Sequence, residues 1–192
     1  MLHILFVCTG NTCRSPMAEA ILRKLAKERG LQIEVQSAGV AANEGTPISR
    51  HAEAVLRDYN IDDTITSQPL RSNVVRDSDL ILTLTQAHKQ HVLRAFPEVM
   101  GKIYTLKEYA EDDESVLRDV AELDSLYAAW AMNTALGKPV ENRERMIEIQ
   151  QRIPSFDISD PFGGSREDYE VAAAEIRTAI DRFLVKLSNN SN

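Results

Sequence analysis

Cys8 and Arg14 are separated by five residues in the run FVCTGNTCRSP, residues 6–16, which also holds Gly10, Asn11, Ser15 and the chain's other cysteine, Cys13. Those types at that spacing suit one kind of chemistry. If the loop turns back between a strand and a helix N-terminus, successive backbone N–H groups point inward and make a nest for an anion, reinforced by the helix dipole. Gly10 is expected to supply the unusual backbone angles of such a loop. Arg14 closes it with a planar fork that matches two oxygens of a phosphoryl group. Cys8 then lies at the floor, where the same positive groups are expected to lower its pKa and keep it a thiolate. A thiolate beneath a bound phosphoryl group is a nucleophile in line with phosphorus.

The flanking pattern supplies the elements this loop needs. Residues 3–8, HILFVC, read as a buried strand, and Ser15 can cap a helix that starts at Pro16 and carries Ala18, Ile21, Leu22 and Leu25 up to a stop at Gly30. Further strands are expected at residues 33–37, 79–84 and 102–106, and further helices after Ser49, over 86–96 and from Ser165 to near the end, with a frayed SNNSN tail. Alternating strands and helices imply right-handed crossovers and a three-layer α/β fold around a four-stranded parallel sheet. Ligands in such folds sit beyond the carboxyl ends of the strands, where Cys8 falls. Between residues 110 and 156 the pattern changes to an acidic stretch, Glu111, Asp112, Asp113, Glu114, Asp119, Glu122 and Asp124, opposed only by Arg118. Helices over 115–136 and 143–152 would make this a helical insertion within a single domain spanning 1–192. The first would carry Val116, Val120, Leu123, Tyr127 and Trp130 on one face.

Composition limits the partners. A net charge of −7 argues against a general nucleic-acid binder, and no apolar run is long enough to span a bilayer. The first residues lack the basic flank of a secretory signal, so a cytoplasmic location is expected. Two cysteines in a reducing compartment point to reactivity more than to a structural disulfide. A Walker-type nucleotide loop is excluded because GNTCRS lacks the GK[ST] ending.

Cys8, five residues, then Arg14 and Ser15, together with SAG at 37–39 and DP at 160–161 before the last helix, resemble the low-molecular-weight protein-tyrosine phosphatases. CTGNTCRSPMAE, LKEY and DPFGGS are more narrowly similar to the bacterial protein-arginine-phosphatase branch. The resemblance implies that Cys8 forms a phosphocysteine, that Arg14 and the amides of residues 9–13 hold the phosphoryl oxygens, and that Asp160 is the general acid. It implies that Ser15 donates to the Cys8 sulfur, that Asn11 and Ser37 support the loop, and that Cys13 guards Cys8 through a reversible disulfide. Thr9, Gly10, Asn11, Thr12, Cys13, Ser15 and Phe162 would contact substrate, Thr12 making room for a phosphoguanidinium and Phe162 forming a pocket wall. Phosphorylated proteins are the implied partners, with no cofactor and no metal. Some relatives place a histidine behind the loop; Ile65 falls at that position here.

Other readings stand beside these. Cys13 could be an inert packed thiol, Ser15 only a helix cap, Thr12 only loop filler, and Asp157 the acid in place of Asp160. His88 and His91 have metal-pair spacing but no evident third ligand and read as solvent-facing. At the level of function, phosphotyrosine hydrolysis is the alternative to phosphoarginine hydrolysis. Arsenate reduction would need relay cysteines that the chain lacks, and an idle phosphopeptide-binding module would not need both nucleophile and acid.

Overall fold

The computed structural model describes residues 1–139 and 141–190, and two compact units emerge: residues 1–110 with 156–192, and Glu111–Ser155. In the first unit the strands are β1 (Leu2–Cys8), β2 (Ile33–Gly39), β3 (Leu80–Thr83) and β4 (Ile103–Thr105). They form one parallel sheet in the order β2-β1-β3-β4. The neighbours of β1 are reached by crossovers running in opposite directions, so its carboxyl end is the switch point where such sheets open a crevice.

Alternation along β1 divides the core. Ile4 and Phe6 join Leu80 and Leu82 beneath α1 (Arg14–Glu28), α2 (Arg50–Asp58) and the last helix. Leu5 and Val7 join Ile81 and Ile103 on the other face, beneath α3 (Ser72–Asp77) and α4 (Gln86–Ala95). The three layers expected from the pattern are present. Two short helices were not foreseen, α3 and α5 (Leu106–Ala110). The strand expected over 102–106 ends at Thr105 because Thr105 and Glu108 cap each other: each side chain accepts from the other's backbone N–H at 3.1 Å.

In the second unit, α6 (Glu114–Ala135) and α7 (Arg143–Arg152) match the expected helices closely. Asp113 caps α6 by accepting from the amides of Ser115 and Val116, which explains one member of the acidic run. Two others are ion-paired to α7, Glu122 with Arg145 and Asp119 with Arg152. These pairs are solvent-exposed and contribute little individually. Tyr127, Trp130, Met146 and Ile147 line a cavity of about 400 Å³ within this unit. The last helix, α8 (Arg166–Asn190), begins at a reciprocal Ser165–Asp168 cap and continues through Ser188, Asn189 and Asn190, so most of the expected frayed tail is helical; residues 191–192 lie outside the described residues.

Candidate active site

The loop between β1 and α1 wraps the Cys8 sulfur. The Ser15 hydroxyl lies 2.8 Å from Cys8 Sγ, and the Asn11 amide donates to it at 3.3 Å. Ser15 therefore is not the cap of α1. The helix starts one residue earlier, at Arg14, and the Ser15 side chain turns inward to the sulfur. The left-handed backbone angle of the loop falls on Asn11, φ 54°, and not on Gly10 as expected. Asparagine tolerates that region better than other side chains, and here its own amide rewards it. Asn11 Nδ2 donates to Ser15 Oγ and to Ser37 Oγ, both at 2.8 Å, while its Oδ1 accepts from the Gln68 amide at 2.8 Å. Gln68 thus fills the place behind the loop that the resemblance gives to a histidine in some relatives, and Ile65, which falls at that position in the sequence, is buried in the core.

Two supports were missed in the sequence. Ser37 donates to Glu19, a nearly buried carboxylate that also binds Arg23. Burial raises the Glu19 pKa, against the pull of Ser37 and Arg23. Its spacing of four from Arg23 along α1 was the available signal. The other is Gly39, the glycine of SAG. A Cβ there would lie 2.5 Å from the Thr9 carbonyl oxygen and 3.0 Å from the Asn11 nitrogen, so the loop can rest against β2 only over a glycine.

Arg14 is buried, its side chain 7% exposed, and it reaches the segment after Ser155. It donates to the Ile158 carbonyl at 3.1 Å and pairs with Asp160 at 3.3 Å. The Asp160 side chain is 59% exposed and accepts from the Phe162 amide. Asp157 is turned elsewhere, accepting from the Gln86 amide at the start of α4 at 2.7 Å. Phe162 is 78% exposed. Thr12 is half-buried, with Oγ1 3.6 Å from Cys13 Sγ, and Cys13 Sγ also lies 3.2 Å from the Tyr169 hydroxyl. Both cysteines are free thiols.

Electrostatics at Cys8 depart from expectation. Burial is the largest influence and pushes the thiol up; Ser15, the Asn11 amide and Arg14 pull it down but do not outweigh it. The loop therefore stabilises a thiolate without maintaining one by itself.

His88 corrects another expectation. It is 6% exposed and faces the loop, with Nε2 2.9 Å from the Thr9 hydroxyl, whereas His91 is exposed. Burial, then the charge of Arg14, lower its pKa from 6.5 to about 4. Between those values the unfolded chain holds a proton on this ring that the folded chain does not, so stability falls as pH drops from about 6.5 toward 4. After allowance for solvent screening, the gap amounts to about 2 kcal/mol. Urea unfolding at pH 7 and pH 4.5 should show wild type losing about 2 kcal/mol more than His88→Gln. Equal losses would mean that the ring titrates as an ordinary histidine. Among the described residues no helix is long and apolar enough to cross a membrane, and no three His, Cys, Asp or Glu side chains converge to hold a metal ion.

Comparison with known proteins agrees with this geometry. A protein-arginine-phosphatase of Geobacillus stearothermophilus is 34% identical over 185 residues, covering 96% of this chain and 95% of that one. The low molecular weight protein-tyrosine-phosphatase PtpB of Staphylococcus epidermidis is 28% identical over 185 residues, covering 96% and 99%. A solved structure of a cysteine-to-serine mutant of the YwlE arginine phosphatase, with its active site serine phosphorylated, is 29% identical. It superposes with a TM-score of 0.73 over 97% of this chain and 96% of that one. Residues 3–129 match the low molecular weight phosphotyrosine protein phosphatase model, and the chain, a cysteine-dependent phosphatase, belongs to that family.

Proposed function

We propose that this phosphatase hydrolyses phosphoarginine in proteins through a phosphocysteine at Cys8. Cys8 Sγ attacks phosphorus from the floor of the loop. Because burial holds the thiol up, its proton leaves as the phosphoryl dianion arrives, passing to a phosphoryl oxygen so that the cup's total charge is unchanged. Arg14 and the amides of residues 9–13 bind the equatorial oxygens, which supplies most of the stabilisation in phosphoryl transfer. Asp160 protonates the leaving nitrogen and then takes a proton from the water that cleaves the phosphocysteine. Ser15 offsets charge on the departing sulfur, and Asn11 with Ser37 keeps the loop in shape. Cys13 traps an oxidised Cys8: peroxide oxidises the Cys8 thiol to a sulfenic acid and is itself reduced to water, the sulfenic acid condenses with the Cys13 thiol to give a disulfide and a second water, and a thiol reductant restores both. Residues 110–156 are, on this reading, an insertion within one domain.

The observation that carries the arginine reading is Thr12, a half-buried residue in the loop between Asn11 and Cys13 whose hydroxyl, among the described residues, has one side-chain hydrogen-bond partner, a sulfur at 3.6 Å. A guanidinium is planar and rich in N–H donors, so a small acceptor suits it. The arginine phosphatase relative supports the same reading. Thr12→Ile removes that acceptor and adds apolar contact for a phenol ring. It should lower kcat/KM on phosphoarginine by about one to two orders of magnitude, the usual cost of an unmatched donor, and hold or raise it on phosphotyrosine. Side-by-side kinetics on the two substrates decide the point. The open Phe162 ring and the PtpB relative favour phosphotyrosine as the second reading. A wild type that prefers phosphotyrosine, or equal losses on both substrates, selects it.

A further inference from the structure

His88 is a buried titratable group that the chemistry above leaves unused. Its Nε2 lies 2.9 Å from Thr9 Oγ1, and its Nδ1 is buried with no hydrogen-bond partner among the described residues. A neutral imidazole carries one N–H, and its tautomers place that proton differently. A proton on Nδ1 would be a buried donor without an acceptor, which folded proteins rarely contain. A proton on Nε2 is donated to Thr9 Oγ1 and leaves only a lone pair unfilled at Nδ1.

The second arrangement has a consequence for Thr9. Its oxygen accepts from the ring, so its own O–H proton is not spent there and is free for another acceptor. Thr9 follows the nucleophile in the chain and is exposed, whereas the ring behind it is buried. The backbone around Thr9 is held separately: the Cys8 carbonyl accepts from the Val40 amide and the Thr9 carbonyl from the Ala41 amide. The ring is therefore placed to set the Thr9 side chain, not the course of the loop.

From this juxtaposition we infer that His88 is a positioning residue, whose Nε2–H holds the Thr9 hydroxyl as an acceptor and turns its proton toward a phosphoryl oxygen above Cys8. The inference rests on the loop being a phosphoryl cup. It does not depend on whether arginine or tyrosine carries the phosphate. The charged and titratable groups around the ring are Arg14, Asp160, Asp157 and His91; burial and Arg14 keep it neutral at working pH, so the single-proton argument holds there.

Two measurements test it. Nitrogen-15 NMR of histidine-labelled wild type at pH 7 should show His88 neutral with its proton on Nε2; a proton on Nδ1 overturns the inference. Kinetics on p-nitrophenyl phosphate should show Thr9→Val and His88→Leu each lowering kcat/KM about tenfold, the loss expected for one hydrogen bond to a charged group. The double variant should be no worse than Thr9→Val, and His88→Gln, whose amide can replace the Nε2–H, should recover most of the activity. Additive losses, or a Gln variant as poor as Leu, overturn it. A wild type with no turnover of this ester would sink the phosphatase reading and the inference together, whereas the wrong tautomer would sink the inference alone.

Discussion

Cys8→Ser is expected to end turnover, with kcat reduced by about 10⁴-fold or more, while inorganic phosphate still binds. The hydroxyl replaces the sulfur without disturbing what holds the anion, because Arg14 is anchored by the Ile158 carbonyl and Asn11 by Ser37 and Gln68. An alcohol is a far weaker nucleophile than a thiolate at neutral pH. If it does attack, its ester does not break down readily, because an alkoxide is a much poorer leaving group than the sulfur that Ser15 stabilises. The variant incubated with a phosphorylated substrate should therefore gain the mass of one phosphoryl group slowly and keep it. Intact-protein mass spectrometry and phosphate competition against a fluorescent anion check both halves. Appreciable multiple turnover in this variant would remove the covalent mechanism, and loss of phosphate binding would remove the independence of cup and nucleophile.

How far the site was legible depended on whether one short segment contained the reason. Cys8, Asn11, Arg14 and Ser15 sit in one loop, and their types and spacing were enough to expect an anion cup at the end of the first strand. The parallel sheet followed from buried strands alternating with helices. What could not be read were features created by distant segments meeting. Gly39 is required because the Thr9 carbonyl passes where its Cβ would be, and nothing local to SAG records that approach. His88 looked like a solvent-facing residue because its sequence neighbours are mostly polar; the hydrogen bond that ties it to the loop is made with Thr9, 79 residues away. Gln68 fills the place behind Asn11 through its backbone amide, which no side-chain motif encodes. The left-handed turn fell on Asn11 instead of Gly10 because the asparagine side chain has three partners that offset the strain. The sign of the Cys8 shift was misjudged for a related reason. The loop's positive groups are visible in the sequence, and the depth of burial is not.

Asp160→Asn should lower kcat on phosphoarginine by about 10²- to 10⁴-fold, the range for loss of a positioned general acid. A guanidine nitrogen cannot leave as an anion at neutral pH, so the bond to phosphorus breaks only if a proton arrives with it. Asp160 is a carboxylate paired to the cup's arginine, 3.3 Å from Arg14, and its side chain is 59% exposed. A phosphoryl group on Arg14 competes for the same guanidinium, which releases Asp160 toward the leaving atom. Asn has no acidic proton to give, so phosphocysteine formation from phosphoarginine should be the slowed step. With p-nitrophenyl phosphate the loss in the first step should be much smaller, because nitrophenolate leaves without protonation. Asp157→Asn is the matched control. Its carboxylate accepts from the Gln86 amide at the start of α4, so the substitution should cost about 1 kcal/mol of stability and leave kcat within a few fold. Rapid-quench measurement of phosphocysteine formation separates the two variants. A larger loss in Asp157→Asn, or an Asp160→Asn loss that does not depend on the leaving group, would move the acid to another residue.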